Sequence, residues 1–148
     1  MKSAKKAKKK KTGSKKGILA SDLTVPCLQF SQGNYKLYAF VLDAKTAWNA
    51  FSISRMEDQD TDDDFGYQRI LSPSRLANIA KYILSGKPIP NTSLVMGDKA
   101  KYDAGKKTLT ISKGSNVAWV IDGQHRLAGA HQAAKNGQGI SLLCVAFV

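Results

Sequence analysis

The sequence predicts an α+β domain in which a small mixed β-sheet packs with helices. Three observations carry this. Short β-forming runs alternate with two helices whose ends are well punctuated. The run Val117-Ala118-Trp119-Val120-Ile121 passes straight into the helical pattern that starts at Gly123. The apolar run Ile140 to Val148 follows that helix after a glycine stop.

The elements follow in order. Cys27-Leu28-Gln29-Phe30 and Tyr35 to Leu42 read as two strands of a hairpin with Gly33-Asn34 at its tip. Asp43 is placed to cap a helix over about 44–51, with Ala47, Trp48 and Phe51 on one face. Ser72 and Pro73 open a second helix as N-cap and first position. Its stripe is Leu76, Ile79, Ala80 and Ile83, and Gly86 and Pro88 end it. Thr92 to Met96 is a strand. Lys107 to Ile111 is another, after a turn at Asp103-Ala104-Gly105. The 117–121 run is continuously apolar, which predicts burial on both faces. A last helix runs from Gly123 to about Asn136, with Leu127, Ala130, His131 and Ala134 on one face.

The net charge of +12 belongs mostly to one segment. Residues 1–17 hold nine lysines and no acid. Removing them from the 23 cations leaves 14 against 11 acids, a net of only +3. A run such as Lys8-Lys9-Lys10-Lys11 repels itself and buries nothing. Residues 1–17 are therefore expected to be a disordered tail, serving either as a solubility segment or as a non-specific DNA contact. Residues 18–148 form the domain, expected to be truncated at its C-terminus because the chain stops inside a strand. Six of the acids lie in 57–64, without an EF-hand pattern, which predicts a solvated loop. Cys27 and Cys144 read as buried free thiols. His125 and His131 are six apart and so on different helix faces, and no metal site is expected. No stretch approaches the ~20 apolar residues of a membrane span, and no apolar region follows the basic start as a signal peptide requires.

Chemistry concentrates at Asp122-Gly123-Gln124-His125-Arg126. A strand meets a helix there through a single tight turn. Gly123 permits the bend and a close ligand approach. The helix start offers backbone donors and the positive end of the macrodipole, which together suit an anion. Gln124, His125 and Arg126 add side-chain donors, and the Arg126 fork matches phosphate oxygens. Asp122 can cap the helix, accept from a ribose hydroxyl or hold a phosphate-bound metal. The plain structural alternative has Asp122 capping the helix while Arg126 pairs with it or with the acidic loop.

The string Val120 to Leu127 contains the whole pentapeptide for which the DGQHR-domain family is named, and it resembles that family. Gly66-Tyr67-Gln68-Arg69, the punctuated helix and Ile89-Pro90-Asn91 also match its layout, so the resemblance spans about 25–148. The family includes DndB-like proteins, associated with DNA phosphorothioation, and DpdB-like proteins, associated with deazapurine modification. It is similar in turn to the ParB/sulfiredoxin-like fold. The resemblance implies a cytoplasmic, nucleotide-phosphate-binding accessory or regulatory module of a DNA-modification or defence system, with optional NTP hydrolysis. It implies a phosphate cradle of Gly123, Gln124, His125 and Arg126, with Gln68 and Arg69 as a second wall. Asp122 and His125 are the candidates for catalysis. ATP or CTP with Mg2+ is the expected ligand, and DNA and modification proteins are the expected partners. The alternatives are a non-catalytic DNA-binding transcriptional regulator, a ParB-like nuclease and an inactive remnant. The nuclease ranks lower because Asp122 is the only acid beside the motif.

Overall fold

The computed structural model describes residues 15–53, 72–96 and 99–147. The predicted hairpin is present and longer than its core motifs suggested. A short β1 (Ile18–Leu19) leads to β2 (Leu23–Gln32), which turns through Gly33, at φ 55°, into β3 (Tyr35–Asp43). β2 changes neighbour along its length. Residues 27–32 pair with β3, while 23–26 pair antiparallel with β7 (Thr108–Ile111). Pro26 sits where the ladder switches, a position at which a missing N–H costs least.

Helix α1 (Ala44–Ala50) begins at Asp43, whose carboxylate accepts from the Thr46 hydroxyl and the Thr46 N–H, and these hydrogen bonds lower the Asp43 pKa. Phe51 ends the helix and opens β4 (Phe51–Ser52). Helix α2 (Pro73–Leu84) has Ser72 as N-cap and Pro73 at its start. β5 is Thr92–Met96. The predicted turn at 103–105 joins two strands, β6 (Ala100–Asp103) and β7, so β6 is an addition to the sequence reading. Its short, polar alternation gave little signal. β8 (Gly114–Ser115) pairs with β1. β9 (Ala118–Asp122), α3 (Gln124–Lys135) and β10 (Ser141–Phe147) complete the chain order.

The main sheet has eight strands in the order β4-β9-β5-β10-β3-β2-β7-β6. It is mixed: β10 runs parallel to β5 and antiparallel to β3, and β4 runs parallel to β9. This is the α+β class that the sequence predicts. The core lies on one face, where Phe40, Leu94, Leu142 and Cys144 are buried with Ala47, Leu127 and Ala130 of the helices. Cys27 and Cys144 are free and buried. They lie on opposite sides of Phe40, about two strand spacings or ~10 Å apart, beyond disulfide reach. Burial raises the Cys27 thiol and pushes Cys144 up to about 12.

One expectation is corrected. β9 is not buried on both faces: Ala118 and Val120 are buried, while Trp119 and Ile121 are exposed. Continuous hydrophobicity cannot distinguish a two-sided strand from one whose second face is apolar but open. Residues 15–17, placed in the tail on sequence grounds, pack against the fold. Lys15 exchanges backbone bonds with Ile53, and the Gly17 N–H donates to Ser52 Oγ. A Cβ on Gly17 would come within 2.1 Å of the Ala50 carbonyl oxygen, so that approach requires glycine. Residues 1–14, with Lys8 to Lys11, and the acidic 57–64 segment lie outside the described residues.

Candidate functional site

β9 ends at Asp122, and α3 starts at Gln124. The one residue between them is Gly123, in the left-handed region at φ 91° and ψ 18°. That conformation turns the chain from sheet to helix within one residue, and an L side chain there is strained. A side chain there would also displace the arginine. A Cβ on Gly123 would lie 2.8 Å from Arg126 Nη2 and 3.1 Å from its Nε, because the arginine folds back over the glycine.

Asp122 does not cap α3, whose N-cap makes no side-chain hydrogen bond. It accepts instead from Arg126 Nη2, at 2.9 Å. The Asp122 side chain is 74% exposed and that of Arg126 26%, so solvent screens the pair and its contribution is at most about 0.5 kcal/mol. Arg126 Nε is buried and has no hydrogen-bond partner among the described residues. The arginine is thus held weakly at one nitrogen and has donor capacity left at another.

His125 points the other way. Its Nε2 accepts from the backbone N–H of Ser72 at 3.1 Å. Accepting there places the ring proton of the neutral imidazole on Nδ1. The contact joins the start of α3 to the start of α2. Four residues on, Gly129 meets α2 again, where a Cβ would lie 2.4 Å from Ile79 Cγ2. The contacts 125 to 72 and 129 to 79 advance together, so the two helices lie side by side in the same direction. Their N-termini are neighbours, and their dipoles add at this end.

Neither helix carries an acid in its first turn. Each has an arginine at its third position instead, Arg75 in α2 and Arg126 in α3. A cation is unfavourable at a helix start, and here the arrangement occurs twice at adjacent ends. Arg75 is exposed and was not singled out from sequence. The signal was present: Ser72-Pro73 marks a helix start, which fixes Arg75 at the same position as Arg126. Gln124 is buried at the start of α3. Gln68 and Arg69, the proposed second wall, lie outside the described residues. Among the described residues no group of three or more His, Cys, Asp or Glu could hold a metal ion. No helix among them is long and apolar enough to cross a membrane.

Fold and site together define an α+β protein whose sheet feeds, through one left-handed glycine, a helix start bearing an arginine. A family model described as DndB, DNA-sulfur modification-associated, matches residues 25–146, a span that includes this turn and nearly the whole described sheet. The chain belongs to that family, and membership gives it a role in the phosphorothioation modification of DNA. No curated protein and no solved structure matches the chain.

Proposed function

We propose that the DGQHR turn binds the phosphate of a nucleotide, and that the protein acts as a nucleotide-responsive accessory module in DNA-sulfur modification. One observation carries the reading. Two parallel helices present adjacent N-termini, each with an arginine and no acid in the first turn. An anion at that end would neutralise both arginines and complement both dipoles. Arg126 suits the role because its exposed partner Asp122 is easily exchanged for a ligand oxygen. Gly123, Gln124 and the backbone N–H of His125, whose ring holds Ser72, would complete the cradle, and Arg75 joins it. Gln68 and Arg69 stay in the proposal as its second wall, since they precede Ser72 by only four and three residues.

The described residues fit a phosphate better than a metal. Asp122 is the only carboxylate at the turn and is engaged by Arg126. ATP or CTP would bring its own Mg2+, held chiefly by its phosphates. The proposal therefore rests on binding, and hydrolysis needs a further group to orient water. Acting on DNA-modification machinery sets the protein in the cytoplasm. Titration calorimetry with ATP and CTP on wild type, Arg126→Ala and Arg75→Ala tests the reading. Loss of one arginine should weaken binding by tenfold or more, at ~1.5–3 kcal/mol per charged hydrogen bond. Equal binding by wild type and Arg126→Ala would refute it.

A further inference from the structure

Helices α1 and α3 gather cations where they meet. Lys15 Nζ donates to the Phe51 carbonyl oxygen at 2.8 Å and lies 4.8 Å from the centre of the Trp48 ring. Trp48 in turn stacks on His131, with ring centroids 4.7 Å apart. Lys45 is three residues before Trp48 on α1, and Lys135 is four after His131 on α3. Residues three and four apart share a helix face, with about 5–6 Å between their Cβ atoms. The stacked rings therefore bring Lys15, Lys45 and Lys135 together. Burial lowers the His131 pKa, and all three lysines lower it further, as cations gathered about it must.

No acid on these elements offsets the charge. α1, α3 and residues 15–19 contain none. Asp43, at the start of α1, has its carboxylate engaged by the Thr46 hydroxyl and N–H. Among the described residues none of the three lysines has an ion-pair partner. Lys15 rests on a carbonyl and a ring alone, and burial there pushes its pKa down to about 8. Like charges held together and a half-buried ammonium both oppose the compact state. A bound polyanion relieves both.

The point at which the lysine segment joins the fold narrows the occupant. Residues 1–14 hold seven more lysines and no acid, and they lead directly into Lys15. That entry is fixed, because Lys15 exchanges backbone bonds with Ile53 and the Gly17 N–H donates to Ser52 Oγ. The cations of the face thus continue those of the segment. A lone phosphate would engage one or two of them. Duplex DNA, with one charge per ~1.7 Å of axis, can engage the whole run. A bilayer fits less well, since neither α1 nor α3 exposes a large apolar side chain to insert. The family's association with DNA-sulfur modification points to the same polymer.

We propose that the α1–α3 face around Lys15, Lys45 and Lys135 is a DNA-backbone contact, continuous with the lysine segment. It is separate from the nucleotide reading of the DGQHR turn. Lys135 ends the helix that the turn begins, ~16 Å away along the axis. The contacts are to phosphates, so they position the protein on DNA and carry no sequence preference.

The test is the affinity of the full chain for a short labelled duplex, followed by fluorescence anisotropy over a range of salt. The chains compared are wild type, the double variant Lys45→Gln/Lys135→Gln, and Lys36→Gln. All three lysines are exposed, so the substitutions leave the core intact, and circular dichroism verifies the fold. Lys36 lies at the end of β3 remote from α1. The double variant should lose nearly two units of the slope of log affinity against log salt, at ~0.9 per phosphate contact. Lys36→Gln should keep the wild-type slope. The His131 ring, followed by NMR, reads the face itself, and bound phosphates should raise its pKa. A wild type that binds no duplex at low salt overturns the proposal. So does a double variant with the wild-type slope, which would leave binding to the segment alone, or a saturating duplex that leaves the His131 pKa unmoved. An equal rise with polyglutamate, or with vesicles of phosphatidylserine and phosphatidylcholine at matched charge, overturns it in favour of an acidic protein or a membrane.

Discussion

His125 accepts a hydrogen bond from the backbone N–H of Ser72 at 3.1 Å, and this one contact sets the first turns of α2 and α3 side by side. It gives His125 a positioning task that its place in the DGQHR string does not reveal. Replacing His125 with Phe would leave the Ser72 N–H unsatisfied in a partly buried site. The expected cost is about 1–2 kcal/mol in a urea melt. His125→Asn, which retains an acceptor, should recover part of the loss.

Gly123 carries both a left-handed backbone and the folded arginine. Gly123→Ala should destabilise the protein by about 1–2 kcal/mol through the left-handed penalty alone. Its Cβ also displaces the guanidinium, so nucleotide affinity should fall even when binding is measured well below the melting temperature. Unchanged stability and affinity together would mean that the turn relaxes freely.

Asp122 competes with an anionic ligand for the donors of Arg126. Asp122→Asn should change stability by less than about 0.5 kcal/mol, because the pair is exposed. Under the phosphate reading it should tighten binding of inorganic phosphate and nucleotide by releasing Arg126. A direct contact from Asp122 to ribose or metal predicts the opposite sign. Calorimetry with phosphate alone and with Mg2+-nucleotide separates the two.

Gly129 reverses an ordinary rule. Gly→Ala inside a helix usually gains ~1 kcal/mol. Here the new Cβ would sit 2.4 Å from Ile79 Cγ2, and overpacking of this kind costs about 1–3 kcal/mol. Gly129→Ala should therefore destabilise. In an Ile79→Ala background the Cγ2 contact is gone but the retained Cβ would still lie 2.7 Å from the new one, so the cost should shrink without vanishing. A double-mutant cycle reads that coupling directly.

His131 stacks on Trp48, with ring centroids 4.7 Å apart and planes within 10°. Burial lowers its pKa, and Lys135, Lys15 and Lys45 lower it further. Below the ordinary value of 6.5 the unfolded chain binds a proton that the folded chain resists. Stability should thus fall as pH drops from about 6.5 towards the lower folded value. His131→Phe keeps the stack and should flatten that part of the stability profile, as followed by thermal melts between pH 5 and pH 7.

The lysine segment can now be tested without harming the fold. Because Lys15 to Gly17 pack against Phe51, Ser52 and Ile53, removal should stop at residue 14. That truncation deletes seven lysines. If the tail tethers DNA, the slope of log affinity against log salt should shrink by several units, at most ~6. An unchanged slope would remove the tail from DNA binding.

The sequence by itself determined much that is local. Asp43, Ser72-Pro73 and Gly33-Asn34 announced two helix starts and a hairpin, because caps and turns depend on a few adjacent residues. The strand-glycine-helix turn at 122–126 was equally legible, since Gly123 and the helix behind it are a matter of backbone geometry. Pairing between distant segments was decided only by the tertiary structure. The sheet order, the insertion of β10 between β5 and β3, and the meeting of Ser72 with His125 depend on long-range packing that no window of sequence contains. For the same reason Arg75 came into view only when α2 and α3 were seen side by side. The exposure of Trp119 and Ile121 followed too, because a strand's hydrophobicity records what each side can bury, while the fold decides which side the helices cover.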